Sequence, residues 1–254
     1  MSDAVLTEED GAVLVVTINR PQAKNAVNGE VAQGIARAIE ELDSRKDLSI
    51  GVLTGAGGTF CAGMDLKGFL TGDNPIVEGR GFAGIVERPA AKPLIAAVEG
   101  YALAGGCEVA LACDMVVAAK DAQFGLPEPK RGLVAAGGGL LRLPQRIPYH
   151  IAMEMALTGD KYSAERMAEL GFVNRLTETG GALAAAKELA LKVAENAPLA
   201  LAATKKIIVE SADWTDEEAW KKQGEIVMPV FGSKDAMEGP AAFAEKRKPV
   251  WKGE

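Results

Sequence analysis

The sequence predicts an α/β core followed by a helical C-terminal part, and three observations carry that expectation. Short apolar, β-branched runs recur along the first part of the chain. Some of them are separated by stretches with apolar residues at helical spacing. After Pro144 the strand-like runs give way to helical patterns.

Taken in order, Val13 to Ile18 (VLVVTI) reads as the first strand, and a turn-like segment, NRPQAKNAVN, follows from Asn19 to Asn28. Asn28 is placed to cap a helix starting near Gly29, with Glu30 in its first turn. Val31, Ile35, Ile39 and Leu42 form its apolar stripe. Ile50–Thr54, Leu94–Val98 and Met115–Ala118 read as further strands, each short and apolar, as strands covered by helices are. Ser163 can cap a later helix that Gly171 ends, and two more helices are expected over Gly181–Glu195 and Leu199–Glu210. The expected division is an α/β core over residues 1–195 and a helical region over 196–254.

Composition narrows the function classes. The chain has 254 residues, 48% hydrophobic and 25% charged, with a net charge of -7. No broad basic surface for nucleic acid is expected. The three cysteines, Cys61, Cys107 and Cys113, are an odd number in apolar settings, which fits a reducing cytoplasm better than a disulfide framework. With one histidine, His150, and no Cys-x-x-Cys, no metal-ligand set is recognisable. The acidic start MSDAVLTEEDG is not a secretory signal, and no apolar run is long enough to cross a membrane.

Two glycine-bearing turns stand out. GGTFCAGMDLK (Gly57–Lys67) and GYALAGGCE (Gly100–Glu108) each follow a strand. Glycine permits unusual dihedrals and close approach, so such turns can aim free backbone N–H groups at one point. A helix starting near Gly105 or Gly106 leaves its first N–H groups without intrahelical partners. The same glycines also suit tight turns that only allow close packing. TGAGGTF (Thr54–Phe60) lacks the third glycine of a dinucleotide fingerprint, and no Lys-Ser/Thr follows to make a P-loop.

Two carboxylates are the candidate acid–base groups. Glu108 sits among Cys107, Val109 and Ala110, where burial would raise its pKa, while a helix N-terminus would favour its anion. Glu128 lies between Pro127 and Pro129, which restrict the backbone on both sides. A surface or structural acid is the plainer reading of Glu128 taken alone, and for Glu108 it weighs evenly with a functional one. A Gly-x-Ser-x-Gly elbow is absent, and neither Cys61 nor Cys107 has a histidine nearby in sequence to activate it.

NRPQAKNAVN, GGTFCAGMDLK, EGYALAGGCEVALACD, FGLPEPKRG and the tail EGPAAFAEKRKP, in this order, resemble the enoyl-CoA hydratase/isomerase (crotonase) superfamily over nearly the whole chain. The resemblance implies a crotonase-like (ClpP/crotonase) spiral of β-β-α units with a helical C-terminal region that closes the active site and joins trimers, often paired into hexamers. It places the two oxyanion N–H groups on Met64 and Gly105 and the two catalytic acids on Glu108 and Glu128, twenty residues apart. An acyl-CoA thioester would be the ligand, with coenzyme A part of the substrate and no further cofactor. Arg20 and Lys24 would approach its nucleotide part. The stretch Phe60, Cys61, Ala62, Gly63, with Asp65 and Leu66 after the oxyanion residue, would line the adenine and pantetheine path. Lys246 and Arg247, beside Lys248, would add a basic patch that could reach a neighbouring subunit's ligand. Presence of both acids favours a hydratase, or a closely related dehydratase, over a double-bond isomerase or a non-catalytic acyl-CoA-binding protein. Ala135 departs from the proline that many relatives carry, and Phe69–Phe82 is expected near the entrance of the acyl pocket.

Overall fold

A computed structural model describes residues 4–254; Met1 to Asp3 of the acidic N-terminal stretch lie outside the described residues. The chain runs β1 (Val5–Asp10), β2 (Val13–Ile18), α1 (Gly29–Ser44), β3 (Ile50–Gly55), α2 (Leu66–Leu70), β4 (Ile76–Val77), β5 (Gly81–Phe82), β6 (Leu94–Val98), β7 (Tyr101–Leu103), α3 (Gly105–Leu111), β8 (Met115–Ala119) and β9 (Gln123–Gly125). It continues through α4 (Gly139–Arg146), α5 (Tyr149–Thr158), β10 (Tyr162–Ser163), α6 (Ala164–Glu169), β11 (Arg175–Thr177), α7 (Ala182–Ala194), α8 (Pro198–Glu210), α9 (Asp216–Phe231) and α10 (Lys234–Ala244).

The main sheet has the order β1-β2-β3-β6-β8-β11, parallel except for β1, which pairs antiparallel along all of β2. Strands β2, β3, β6 and β8 are apolar on both faces because both faces are covered. Leu14, Val16, Ile18, Leu53, Leu94 and Val98 point into one core, which also holds the α1 stripe of Val31, Ile35, Ile39 and Leu42. Val13, Val15, Ile50, Val52, Ile95 and Val117 point the other way, onto Ala186 and Ala190 of α7. Asn28 caps α1 as expected, its Oδ1 accepting from Val31 N at 3.0 Å; such a cap stabilises a helix by about 1 kcal/mol.

A smaller sheet, β10-β9-β7, sets the spiral. Each turn of chain contributes one strand to the main sheet, one short extended segment to this second layer, then a helix. Cys61, after β3, bridges Ala102 of β7 in parallel, and Ala102 pairs with Phe124 of β9. Three successive turns are therefore in register at Cys61, Ala102 and Phe124. The chain leaving each of these positions turns toward the same end of the stack, three or four residues later, at Met64, Gly105 and Glu128. This is a crotonase-like α/β fold with a helical C-terminal region.

Candidate active site

The three turn ends open onto a cavity of about 1030 Å³. Met64, Gly105, Glu108 and Glu128 all line it, as do Lys24, Ala62 and Leu66. Two backbone devices bring the first two together. Gly63 adopts φ +105°, and a Cβ placed on it would lie 2.9 Å from Ala104 Cβ and 3.3 Å from Gly105 N, so the two loops touch there. Ala104 takes φ +51° and ψ -129°, a strained conformation for a residue with a side chain. In that conformation its carbonyl accepts from Cys107 N and Glu108 N, starting α3, while its own N–H donates to Gly125 O. Neither the Met64 nor the Gly105 N–H is bonded to an acceptor among the described residues. Two free donors on adjoining loops, one at a helix N-terminus, are an arrangement that can hold an anion.

Close packing leaves no room for larger residues here. A Cβ on Gly106 would stand 2.1 Å from Cys61 O, and one on Gly105 would meet the Phe82 ring at 2.5 Å. The glycine pair is thus needed for the close packing of these loops.

Glu108 is 4% exposed, and its Oε1 accepts from Gly139 N at 2.9 Å. Burial raises its pKa; the Gly139 and Gly137 amides and the Arg142 charge pull less strongly the other way. The opposing effects set out from sequence therefore resolve toward a raised value. Glu128 is 9% exposed, and its Oε2 is buried without a protein hydrogen-bond partner. Burial pushes its pKa up to about 7, assisted by the charge of Glu108 and opposed by a backbone amide and Arg131. A poorly solvated, half-free carboxyl that titrates near neutrality suits proton transfer. Burial pushes the Cys61 and Cys107 thiols up to about 12, so neither is a thiolate at neutral pH.

The sign of the Glu128 shift gives a stability prediction. Its folded pKa lies above the ordinary carboxyl value of 4.5, so the folded state holds the proton more tightly. The resulting stabilisation is full below about pH 4.5 and is lost as pH rises through about 7. Glu128→Gln is therefore expected to raise Tm at about pH 8 and to change it little at about pH 4, as read by scanning calorimetry.

Several expected ligand contacts take a different place. Arg20 does not line the cavity: its Nη1 donates to Ala26 O at 2.6 Å and its Nη2 to Asp65 Oδ2 at 3.0 Å. Asp65 caps α2, accepting from Lys67 N and Gly68 N. Phe60 and Cys61 are fully buried and, with Gly63, form the wall behind the lining rather than the lining itself. Lys246 and Arg247 lie outside this chain's cavity, and Arg247 is held by Glu238 and Glu245. Ala135 is buried beneath a neighbouring apolar cavity of about 370 Å³ rather than in the main one. Ile76 and Phe82, from the segment expected near the entrance, do line the main cavity.

Other residues of the site were not read from the sequence. Asn25, fully buried at φ +55°, donates to Ala56 O and Thr59 O and accepts from Arg20 N, tying the NRPQAKN loop to the first glycine turn. Lys161, also not read from the sequence, stands over the Tyr101 ring at 5.1 Å from its centre, beside Lys24, which the sequence did point to, at 5.4 Å. Lys130, paired with Asp160, and Arg131, whose charge acts on Glu128, also line the cavity, as do the apolar Phe82, Val86, Leu133 and Val134.

Comparison with known proteins agrees with this architecture. The family model for enoyl-CoA hydratase/isomerase matches residues 8–254, and the chain belongs to that family. It is similar to an enoyl-CoA hydratase from Mycobacterium tuberculosis H37Rv, with 60% identity, full coverage of both chains and a TM-score of 0.98. A carnitinyl-CoA hydratase structure from Mycobacterium avium is 41% identical over the full length of both chains, with a TM-score of 0.80. A carnitinyl-CoA dehydratase of Salmonella enteritidis PT4 is 41% identical over 261 aligned residues, covering both proteins completely.

Proposed function

We propose that this chain is an enoyl-CoA hydratase, adding water reversibly across the 2,3 double bond of a 2-enoyl-CoA thioester. The observation that carries this reading is the opening of two buried carboxyls and two free amides into one cavity. The thioester oxygen would accept from the N–H groups of Met64 and Gly105. Glu108 would take a proton from a water as its oxygen bonds to C3. The C2–C3 π electrons would move toward the thioester oxygen as an enolate, where the two donors stabilise the developing charge. The enolate would collapse as C2 takes a proton from Glu128. Solvent exchange then returns the proton from Glu108 to Glu128, and the same steps reversed dehydrate a 3-hydroxyacyl-CoA.

Lys24 and Lys161, together over Tyr101 in the cavity lining, suit the phosphates of coenzyme A. We place the acyl group in the part lined by Phe82, Val86, Leu133 and Val134. Two aromatic residues, Phe82 and Tyr101, line the cavity, and Tyr101 is already engaged by lysines, so a box for a quaternary ammonium is lacking. An apolar acyl group fits this lining better than a carnitinyl group. The helical region over residues 196–254 is read as the part that closes the site and joins trimers or hexamers. Exposed Ile208, Met228, Phe231, Met237 and Phe243 support that reading. Among the described residues no helix is long and apolar enough to cross a membrane.

Incubation with 2-enoyl-CoAs of several chain lengths tests the function. Products one water heavier are expected by mass spectrometry; products of unchanged mass would indicate isomerisation, and tight binding without turnover would indicate a binding protein. The pH profile adds a second check. The active pair carries one proton in either direction, so kcat/KM should fall as pH rises through about 7, in hydration and dehydration alike.

A further inference from the structure

Glu108 receives a hydrogen bond from the first turn of α4, and one side chain fixes that turn. Arg142 lies one turn into α4 and folds back toward the start of its own helix. A Cβ on Gly138, which has φ +90°, would stand 2.3 Å from Arg142 Nη1, so the guanidinium fills the space beside this glycine. Its Nη2 donates to Val86 O at 2.6 Å. Val86 belongs to the turn after β5 and lines the active-site cavity with Phe82. The guanidinium therefore connects the helix that supplies Gly139 N to Glu108 with a separate wall of the same cavity.

We propose that Arg142 is a positioning residue for Glu108. It pins the first turn of α4 to the Phe82–Val86 turn, which keeps the Gly137 and Gly139 amides on the carboxylate, and its cation favours the ionised form needed to accept a proton from water. The effect on rate rests on the hydration reading above; the effect on the Glu108 carboxyl does not.

The surrounding charges are compatible with this role. Arg142 is half-buried and close enough to Glu108 that each affects the other's ionisation. Arg146, further along α4, repels it, and the Cys113 thiol beyond the end of α3 also bears on it. Across the active site, the charge of Glu108 acts on Glu128, as does that of Arg131 in the opposite sense. Behind α4, Arg142 and Arg146 share a second cavity with Glu87, Asp114, Lys205, Lys206 and Glu210. There Lys205 is paired with Asp114 at 2.7 Å, which places that cation on another acid.

The test titrates the Glu108 carboxyl directly, by infrared difference spectroscopy of substrate-free protein with the Glu108→Gln spectrum subtracted. Arg142→Met keeps length and packing but removes the charge; its Glu108 midpoint is expected to rise by about one pH unit. Arg142→Lys keeps a charge but not the planar fork. Its midpoint should stay near that of the parent protein. In hydration assays Arg142→Met should lose about tenfold or more in kcat with KM nearly unchanged, and the acid limb of its pH profile should move up with the infrared midpoint. Arg142→Lys should recover part of that rate. A folded Arg142→Met protein with an unmoved Glu108 midpoint would overturn the proposal. So would an Arg142→Lys protein whose midpoint rises by about one pH unit above that of the parent protein, and if the methionine variant does not fold, the lysine variant alone decides by this criterion. If the chain hydrates no enoyl-CoA at all, the infrared shift still stands as the reading of Arg142.

Discussion

Glu108→Gln is expected to lower kcat for hydration by about a thousandfold, within the range removed with a positioned general base, while KM stays within a fewfold of the parent value. The substitution is nearly isosteric. The glutamine carbonyl can still accept from Gly139 N, so the junction between α3 and α4 keeps its hydrogen bond. What disappears is the ability to take a proton from water. The donors on Met64 and Gly105 and the lysines beside Tyr101 are untouched, which is why binding should survive. Stability should hold or improve, because a carboxyl whose anion is disfavoured by burial is replaced by a neutral amide. Rapid-mixing kinetics with a short 2-enoyl-CoA, together with Tm, separate these effects. Near-normal turnover in a folded Glu108→Gln protein would remove Glu108 from the mechanism and leave Glu128 as the acid–base group.

How far the sequence could carry this depends on which physics sets each feature. Strands β2, β3, β6 and β8 were legible because a sheet buried on both faces demands runs such as VLVVTI and LIAAV. Helix α1 was legible because it has a cap, a stripe and one exposed face. Strand β1 was not: VLTEED lies at the sheet edge with Thr7, Glu8 and Glu9 exposed, and its backbone pairing with β2 holds it there. The three-residue strands β7 and β9 leave no period to detect, yet their register brings Met64, Gly105 and Glu128 to one end of the spiral. From the chain alone, the donors and acids could be named through resemblance, but their meeting is a consequence of long-range pairing. The same holds for Asn25 and Arg142. Each bonds to carbonyls of distant loops, Ala56 and Thr59 in one case and Val86 in the other, and nothing in the local sequence marks those partners. Arg20 shows the converse. Its position in the chain suggested a phosphate contact, while the fold directs it inward to Ala26 O and Asp65.

Gly63→Ala is expected to lose about a hundredfold in kcat through weakened oxyanion donors. The argument is geometric. At φ +105° an L side chain is strained, and its Cβ would face Ala104 Cβ at 2.9 Å and Leu103 O at 3.1 Å. Those obstacles are backbone or the first side-chain atom, so no flexible tip can swing aside. Relief requires the Gly63–Met64 segment to move away from Ala104–Gly105, which separates the two N–H groups. Movement on the far side is resisted by Val27, whose N–H donates to Gly63 O at 2.8 Å and whose carbonyl accepts from Asp65 N at 2.9 Å. The strain should cost about 1–3 kcal/mol of stability as well, so a reference variant is needed. Gly58→Ala supplies it: Gly58 has φ +74°, yet a Cβ there meets nothing within 4 Å. It carries the same kind of backbone strain without pushing the donor loops apart, and it should keep its kcat. If Gly63→Ala, shown to be folded, turns over as fast as Gly58→Ala, the charge that develops on the thioester oxygen is not held by the Met64 and Gly105 donors.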